Sequence, residues 1–584
     1  MRNFFKMFGA CLLALVIFSA MAFFFLIGYV GGLASKSIPR VKDKSVLVLD
    51  LSKVYQERKQ QNPFGVLYNE NSNIPGLYDL IRIISEAKND KNIEGIFIMA
   101  NANPNGFAAS EEIRDALKDF KTSKKFVLAY GDVMSQTAYA VASIADKVYI
   151  NPQGHFQWTG FNVDYVFLKG TLEKLEVEPQ IFYAGKFKSA TEPLRTDKMT
   201  PENQYQTSIW LNDLYDHFLG QVSEVRKIDT ATLRKLANDG TIQTPNDAFT
   251  NKLVDSLKYD DQVKDEIKRR LGLDKYAKTS FVTMSNYLAT KEHGNKGGDK
   301  IALIVAEGNI MDGDGDQGMI GGDTYRSLIR KLRLDKTIKA IVLRVNSGGG
   351  SSLASENIWR ELELAKEDKP VIVSFGDVAA SGGYYIATCA DSIFAQENTI
   401  TGSIGVFSII PNMQSFFKNK LGVTFDGVQT GPYADIGAIY RPLSEDEKKI
   451  MQTGVELTYT QFKERVAQGR KKDTAFVDSI AQGRVWTGIR AKDIGLIDRI
   501  GGINDAIRAA AAKAKITGYQ VKMYPEQESV LTQLFGGKNE PINYAQKMKE
   551  EIGENNFKIY TELKNIKQMT GTVQARLPFQ FFIR

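Results

Sequence analysis

The chain has 584 residues, several times the length of an ordinary domain, so a single core cannot organise it. With 43% hydrophobic and 24% charged residues, 49 glycines and 16 prolines, it reads as a folded globular protein, neither collagen, coiled coil nor disordered tail. A net charge of +7 is spread over 75 basic and 68 acidic residues without a nucleic-acid-binding arm, and two cysteines and three histidines lie too far apart to match a metal-ligand spacing.

Arg2 and Lys6 precede an uncharged run from Met7 to Ser35, rich in Phe, Leu, Ala and Val. As a helix rising 1.5 Å per residue it exceeds the roughly 30 Å hydrocarbon core of a bilayer. It is also longer than the roughly 7 to 15 apolar residues of a cleaved signal peptide. Residues 1–45 are therefore expected to be an uncleaved single-pass anchor with its linker. Arg2, Lys6 and the α-amine on one flank against Lys36, Arg40, Lys42 and Lys44 on the other lean toward a cytoplasmic body, but charge does not settle the side. Cys11 falls in the anchor and Cys389 in the body, which leaves them no way to pair.

The body is a duplication. Residues Asp90 to Asp146 align without a gap with Asp335 to Asp391 at an offset of 245, with about a third of positions identical. A second match sets GTIQTPNDAFTNKLVDSL from Gly240 against GRVWTGIRAKDIGLIDRI from Gly483. Solenoid repeats run about 20 to 50 residues, so this period means two homologous domains. In the second copy the order is a strand (341–345), a glycine loop, a helix (354–365), a strand (371–375), a turn and a helix (382–389). Apolar strands alternating with helices predict the α/β class with buried parallel sheets. The expected domains are 46–295, 296–520 and an extension over 521–584, with the polar stretch Thr290 to Lys300 as linker. The extension ends in LPFQFFIR and is expected to be a terminal packing element.

The two copies differ where chemistry would sit. Ser381 in VAASGGYY faces Gln136, the Gly348-Gly349-Gly350 run faces Asn103-Pro104-Asn105, and Lys188 in GKFKSATEP faces Ala434. A candidate nucleophile and a candidate base are thus divided between the halves. Read singly, Ser381 would be a helix N-cap, Lys188 a solvated lysine and the glycine run a tight turn. Their complementary loss and retention favours catalysis.

These segments, with the anchor, LRVNSGGGS, TGSIGVF and GRVWTG, resemble the signal peptide peptidase A (protease IV) family in its long two-domain form, over nearly the whole chain. The resemblance implies a Clp-protease/crotonase fold and a serine endopeptidase that degrades cleaved signal peptides and other hydrophobic or misfolded peptides. It further implies a homotetramer on the cytoplasmic (inner) membrane of a bacterium, with the catalytic domains on the periplasmic side. It maps Ser381 to the nucleophile, Lys188 to the general base and Ser403 to the hydroxyl that orients the lysine. One departure is Gly348, where the family's loop usually carries proline.

The residues support that chemistry independently. A serine hydroxyl needs a base, and none of His155, His217 or His293 has a Ser-rich or Gly-rich setting, which assigns them to surface or packing. A lysine serves if burial lowers its ordinary pKa of about 10.4 by several units. Phe187 and Ala190 flank Lys188 with apolar groups, and Lys186 is the rival on an extended segment. Amides of Gly382, at a helix start, and of Gly349, with Gly350 as second choice, are the expected oxyanion donors. Tyr384 and Tyr385 are expected in the core. No cofactor is indicated, since the glycine run lacks the downstream G-K-[ST] of a phosphate loop. Two other functions share parts of this pattern: a crotonase-like acyl-CoA enzyme and a non-catalytic membrane scaffold.

Overall fold

Runs such as Val46 to Leu49 and Ile341 to Leu343 are apolar on both alternating faces, so their strands need cover on both sides. The computed structural model describes residues 4, 6–19, 21, 41–59, 74–291, 298–315, 318–526, 553 and 572–577. In the first half, strands Ser256–Leu257, Lys147–Phe156, Phe126–Met134, Ile93–Met99, Ser45–Asp50 and Phe281–Thr283 form one parallel sheet in that spatial order. In the second half the order is Val485–Thr487, Ile400–Gly402, Val371–Ala380, Ile338–Ser347, Asp299–Glu307 and Tyr519–Tyr524, with the first pair antiparallel. The duplication persists in three dimensions: Pro201–Arg226 and Glu445–Arg470 are both helices of 26 residues.

The halves share a core. Helices Leu77–Asn89 and Phe107–Lys121 of the first half and Ile503–Ala514 of the second contribute Leu80, Ile84, Ile113, Leu117, Ile507 and Ala510 to one buried cluster, which also takes in Leu303 and Val342. A buried ionic cluster crosses the same boundary. Arg344, fully buried, donates from Nε to Glu57 at 3.0 Å and from Nη2 to Glu112 at 2.6 Å, both in the first half. Its remaining bonds go to Ser374 Oγ and Phe375 O, each at 2.8 Å. Asp377 accepts from the Ala109 amide at 3.0 Å, and Glu307 lies near the group. With several buried carboxyls around one guanidinium, burial raises Glu57 to about 8 and pushes Glu112, Glu307 and Asp377 upward. His217 spans the halves too, bridging Glu111 and Glu397; burial opposes its charge, but these hydrogen bonds and charges prevail and raise it to about 9.

A third sheet mixes the copies. Its order is Ile320–Gly321, Ile310–Met311, Gly349–Ser351, Gln574–Arg576, Val406–Asn412 and Glu178–Ala184. The last pair runs antiparallel from Val406–Ala184 to Asn412–Glu178, so a strand of the first half completes a sheet of the second.

Several sequence expectations shift. The strand expected over 371–375 continues to Ala380, because beyond a bulge Ala379 pairs with Ser347 and Val378 with Ile400. The helix expected over 382–389 is one turn, Gly382–Tyr385, followed by turns. Of the expected linker, Thr290 and Lys291 end the helix Met284–Lys291 and Asp299 begins a strand, while residues 292–297, with His293, lie outside the described residues. Strand Tyr519–Tyr524 crosses the expected boundary at 520 and pairs with Asp299–Glu307. Most of the expected anchor, Met7 to Ser35, also lies outside the described residues; residues 6–19 are helical and exposed. Among the described residues, no helix is long and apolar enough to cross a membrane.

Candidate active site

The strand Val371–Ala380 delivers Ser381 at its end, and the chain turns at once into the helix Gly382–Tyr385. The turn forces Ser381 to φ 53°, a conformation costly for a residue with a Cβ. Its amide donates to Gly402 O at 2.8 Å, and its side chain is fully buried. Ser403, on the loop after Ile400–Gly402, is likewise at positive φ, 49°, and buried. Two strained serines thus end neighbouring strands.

The lysine comes from the other half. Strand Glu178–Ala184 carries the chain along Val406–Asn412 and turns at Gly185, leading Lys188 into the second half. Lys188 Nζ lies 2.9 Å from Ser381 Oγ, 3.1 Å from Ser403 Oγ and 3.3 Å from Ser403 O. The side chain is 1% exposed, and burial alone holds its pKa well below the ordinary lysine range. A neutral amine has two N–H donors and one lone pair. With the donors directed to the Ser403 oxygens, the lone pair is left for the Ser381 hydroxyl.

The structure thus brings Ser381, Lys188 and Ser403 together. Lys186 is exposed, with its Nζ 5.2 Å from the Phe187 ring centre, and is no part of the cluster. Gly382 heads the one-turn helix, where no preceding turn supplies a carbonyl for its amide. The Gly349 amide donates to Ser347 Oγ at 3.1 Å, so it is already engaged, while Gly350 faces the C-terminal strand. Gln136, opposite Ser381 in the alignment, accepts through Oε1 from the Thr159 and Gly160 amides and donates through Nε2 to Gly160 O. The corresponding place in the first half is closed by that side chain. Tyr384 and Tyr385 are buried as expected.

Two positioning residues escaped the sequence reading. Gln206, on helix Pro201–Arg226, donates to Phe187 O and Ser189 Oγ, each at 3.1 Å, and accepts from the Val485 amide at 3.2 Å. It ties both sides of the lysine segment, yet on a helix surface pattern nothing marks it. Gly483 opens the quoted GRVWTG motif, and its signal was the glycine itself. It sits at φ +74°, and a methyl group there would stand 2.7 Å from the Cβ and backbone N of Lys188. Gly483→Ala is expected to lower kcat about 10²-fold by displacing Lys188, with about 1–2 kcal/mol of backbone strain. Steady-state kinetics beside thermal melting checks this, the melting shift remaining small against the loss of rate.

The chain matches peptidase family S49 over residues 119–274 and 363–517. It is 38% identical over 509 residues to Protease 4 of Salmonella typhi, which covers 84% of this chain and 81% of that protein. It is 37% identical over 450 residues to Protease 4 of Haemophilus influenzae, covering 74% and 72%. The chloroplastic serine protease SPPA of Arabidopsis thaliana is 32% identical over 485 residues, covering 82% and 70%.

Proposed function

Because the chain belongs to peptidase family S49 and is a serine peptidase, we propose that it is a membrane-anchored endopeptidase working through a Ser381–Lys188 dyad on cleaved signal peptides and other hydrophobic or misfolded peptides. The observation that carries the dyad is a buried lysine amine, its pKa lowered by burial, 2.9 Å from a serine hydroxyl. The neutral amine takes the Ser381 proton as Oγ attacks the scissile carbonyl carbon. Ser403 holds the amine in direction through its hydroxyl and carbonyl. The amides of Gly382 and Gly350 stabilise the tetrahedral oxyanion, with Gly349 shaping the loop. The ammonium of Lys188 then protonates the departing amine, and water attacks the ester by the same route in reverse.

Support for the anchor comes from the apolar run at 7–35, and from the family resemblance for a periplasmic body on the inner membrane. For a homotetramer, support comes from an asymmetry between copies. The strand Glu178–Ala184 finds its partner inside the chain, whereas its counterpart in the second half, residues 423–430, is exposed, with Val423 at 42% and Phe425 at 51%. A head-to-tail contact from this segment to the first half of a neighbour is of the kind that forms a ring where the rotation closes.

The test is acylation of the full chain by a β-lactone, located by peptide mass spectrometry. Label on Ser381 supports the dyad; the scaffold and acyl-CoA readings predict an unlabelled serine. The pH dependence is a second expected result. Catalysis needs neutral Lys188, so kcat/KM rises with pH through that group's lowered pKa and levels off well below 10.5. A rate still climbing through 10.5 would rule out Lys188 as the base.

A further inference from the structure

The segment that carries the lysine, KSATEP, holds a second ionisable residue that the mechanism leaves unused. Glu192 stands four residues after Lys188, opens the short helix Glu192–Arg195 and is 1% exposed. Its partners lie at the start of the helix Pro201–Arg226, whose N-cap is Thr200. Glu192 Oε2 accepts from the Thr200 amide at 3.1 Å and from Asn203 Nδ2 at 2.9 Å, and Oε1 accepts from Thr200 Oγ1 at 2.6 Å. A carboxylate placed there also meets the positive end of the helix dipole. Arg195 Nη2 stands off at 3.9 Å, and Tyr165 lies within reach of the charge.

The matching helix of the second half is capped from within. Ser444 holds the N-cap of Glu445–Arg470, and its amide donates at 2.7 Å to Oε2 of Glu447, three residues on. Asn203 stands at that place in the first half and has no carboxylate, so the corresponding amide, that of Thr200, goes to Glu192 instead. The second half, which lacks the lysine, has Ala438 opposite Glu192 as it has Ala434 opposite Lys188. The lysine and the distant cap are present together in one copy and absent together from the other. From the cap the bonds run back to the lysine. Asn203 Oδ1 accepts from Gln206 Nε2 at 3.3 Å, and the same nitrogen is 3.1 Å from Phe187 O and from Ser189 Oγ, on either side of Lys188.

We propose that Glu192 is a positioning residue for the reaction: it fastens the lysine segment to the helix Pro201–Arg226 and so holds Lys188 Nζ against Ser381 Oγ. The inference rests on the Ser381–Lys188 reading. Burial alone lowers the pKa of Lys188, so the Glu192 carboxylate acts through its hydrogen bonds and not through its charge at the amine. Freed from the tie, the segment shifts, the amine leaves its line to the hydroxyl, and water reaching it moves its pKa back toward the ordinary lysine range.

Kinetics of the full chain on a hydrophobic peptide test this, with working sites counted by completed β-lactone acylation of Ser381 and melting followed in parallel. The variants are Glu192→Gln, Glu192→Ala, and Glu192→Ala combined with Asn203→Glu. Glutamine keeps the three bonds, its oxygen taking the Thr200 amide and Asn203 Nδ2 while its nitrogen donates to Thr200 Oγ1, and is expected to keep the parent's rate and pH profile. Glu192→Ala is expected to melt lower, to lose about 10²-fold in kcat per labelled site at unchanged KM, and to shift the rising limb of kcat/KM by about one pH unit toward alkali. Adding Asn203→Glu sets a carboxylate where the second copy has one, so melting is expected to recover while kcat and the limb do not. Recovery of kcat together with melting means that the helix needed only a cap, and overturns the proposal. So does a glutamine variant no better than alanine, or an alanine variant with the parent's rate per site and pH limb. If Glu192→Ala alone does not fold, the combined variant decides, a parent-like kcat overturning the proposal. A parent unlabelled at Ser381, or one whose rate climbs through 10.5, overturns the dyad and this inference with it.

Discussion

Replacing Lys188 by methionine should lower kcat for a hydrophobic peptide by about 10² to 10⁴-fold, the usual contribution of a positioned general base, without lowering the melting temperature. Methionine fills nearly the same volume and removes an amine that burial disfavours in its charged form. The sign of the stability effect follows from linkage. The folded-state pKa of Lys188 lies below 10.5, so at neutral pH the unfolded chain binds the extra proton. That contribution to stability is present at high pH and lost as pH falls toward the folded pKa, and methionine removes the dependence. Lys188→Met is therefore expected to melt at or above the parent temperature at neutral pH. Ser381→Ala should lose activity comparably, and the double variant should be no worse than the weaker single one, because the pair acts as a unit. Kinetics and calorimetry on the same preparations decide the matter. A raised KM with kcat intact, or a melting temperature several degrees lower, would make Lys188 a structural residue.

The second large effect is on stability and lies away from the serine. Arg344→Ala should cost about 3–5 kcal/mol, because it leaves Glu57 and Glu112 buried without their cation. Denaturant unfolding of the parent and the variant measures it. The pH dependence of the parent has a definite sign. Glu57 is raised by burial from 4.5 to about 8, so the folded state holds its proton more tightly than the unfolded chain. Its contribution is fully present below 4.5 and is lost as pH rises through 8, and the alanine variant should lose stability over that window more steeply. A change below 1 kcal/mol would mean that the apolar core around Leu80, Leu117 and Ile507 carries the interface without the charges.

The class was legible in apolar strands alternating with helices, and the candidate pair in the internal repeat. Ser381 and Lys188 stood out because each has an unlike residue at the matching place of the other copy, and Ser403 followed from the family motif. The strand after Phe375 was missed because Gly376 to Ala380 has little strand propensity and is held in the sheet by Ser347 and Ile400, contacts distant in sequence. The role of Arg344 was not legible, because its partners Glu57 and Glu112 lie 287 and 232 residues earlier. Gly349 was expected ahead of Gly350 as the loop's oxyanion donor, and the sequence could not show that Ser347 engages the Gly349 amide. The C-terminal strand was invisible because three residues, Gln574 to Arg576, take their structure from strands on either side.

The distance of 193 residues between the two members of the dyad has a consequence for the chain's own birth. Lys188 leaves the ribosome first, without a nucleophile, and at about 5–20 residues per second Ser381 follows some 10–40 seconds later. If the proposed dyad is the catalytic pair, a translation product that stops between them is expected to have no protease activity. On that reading the working site reports completion: Lys188 and Ser381 meet only once both copies have been made and docked.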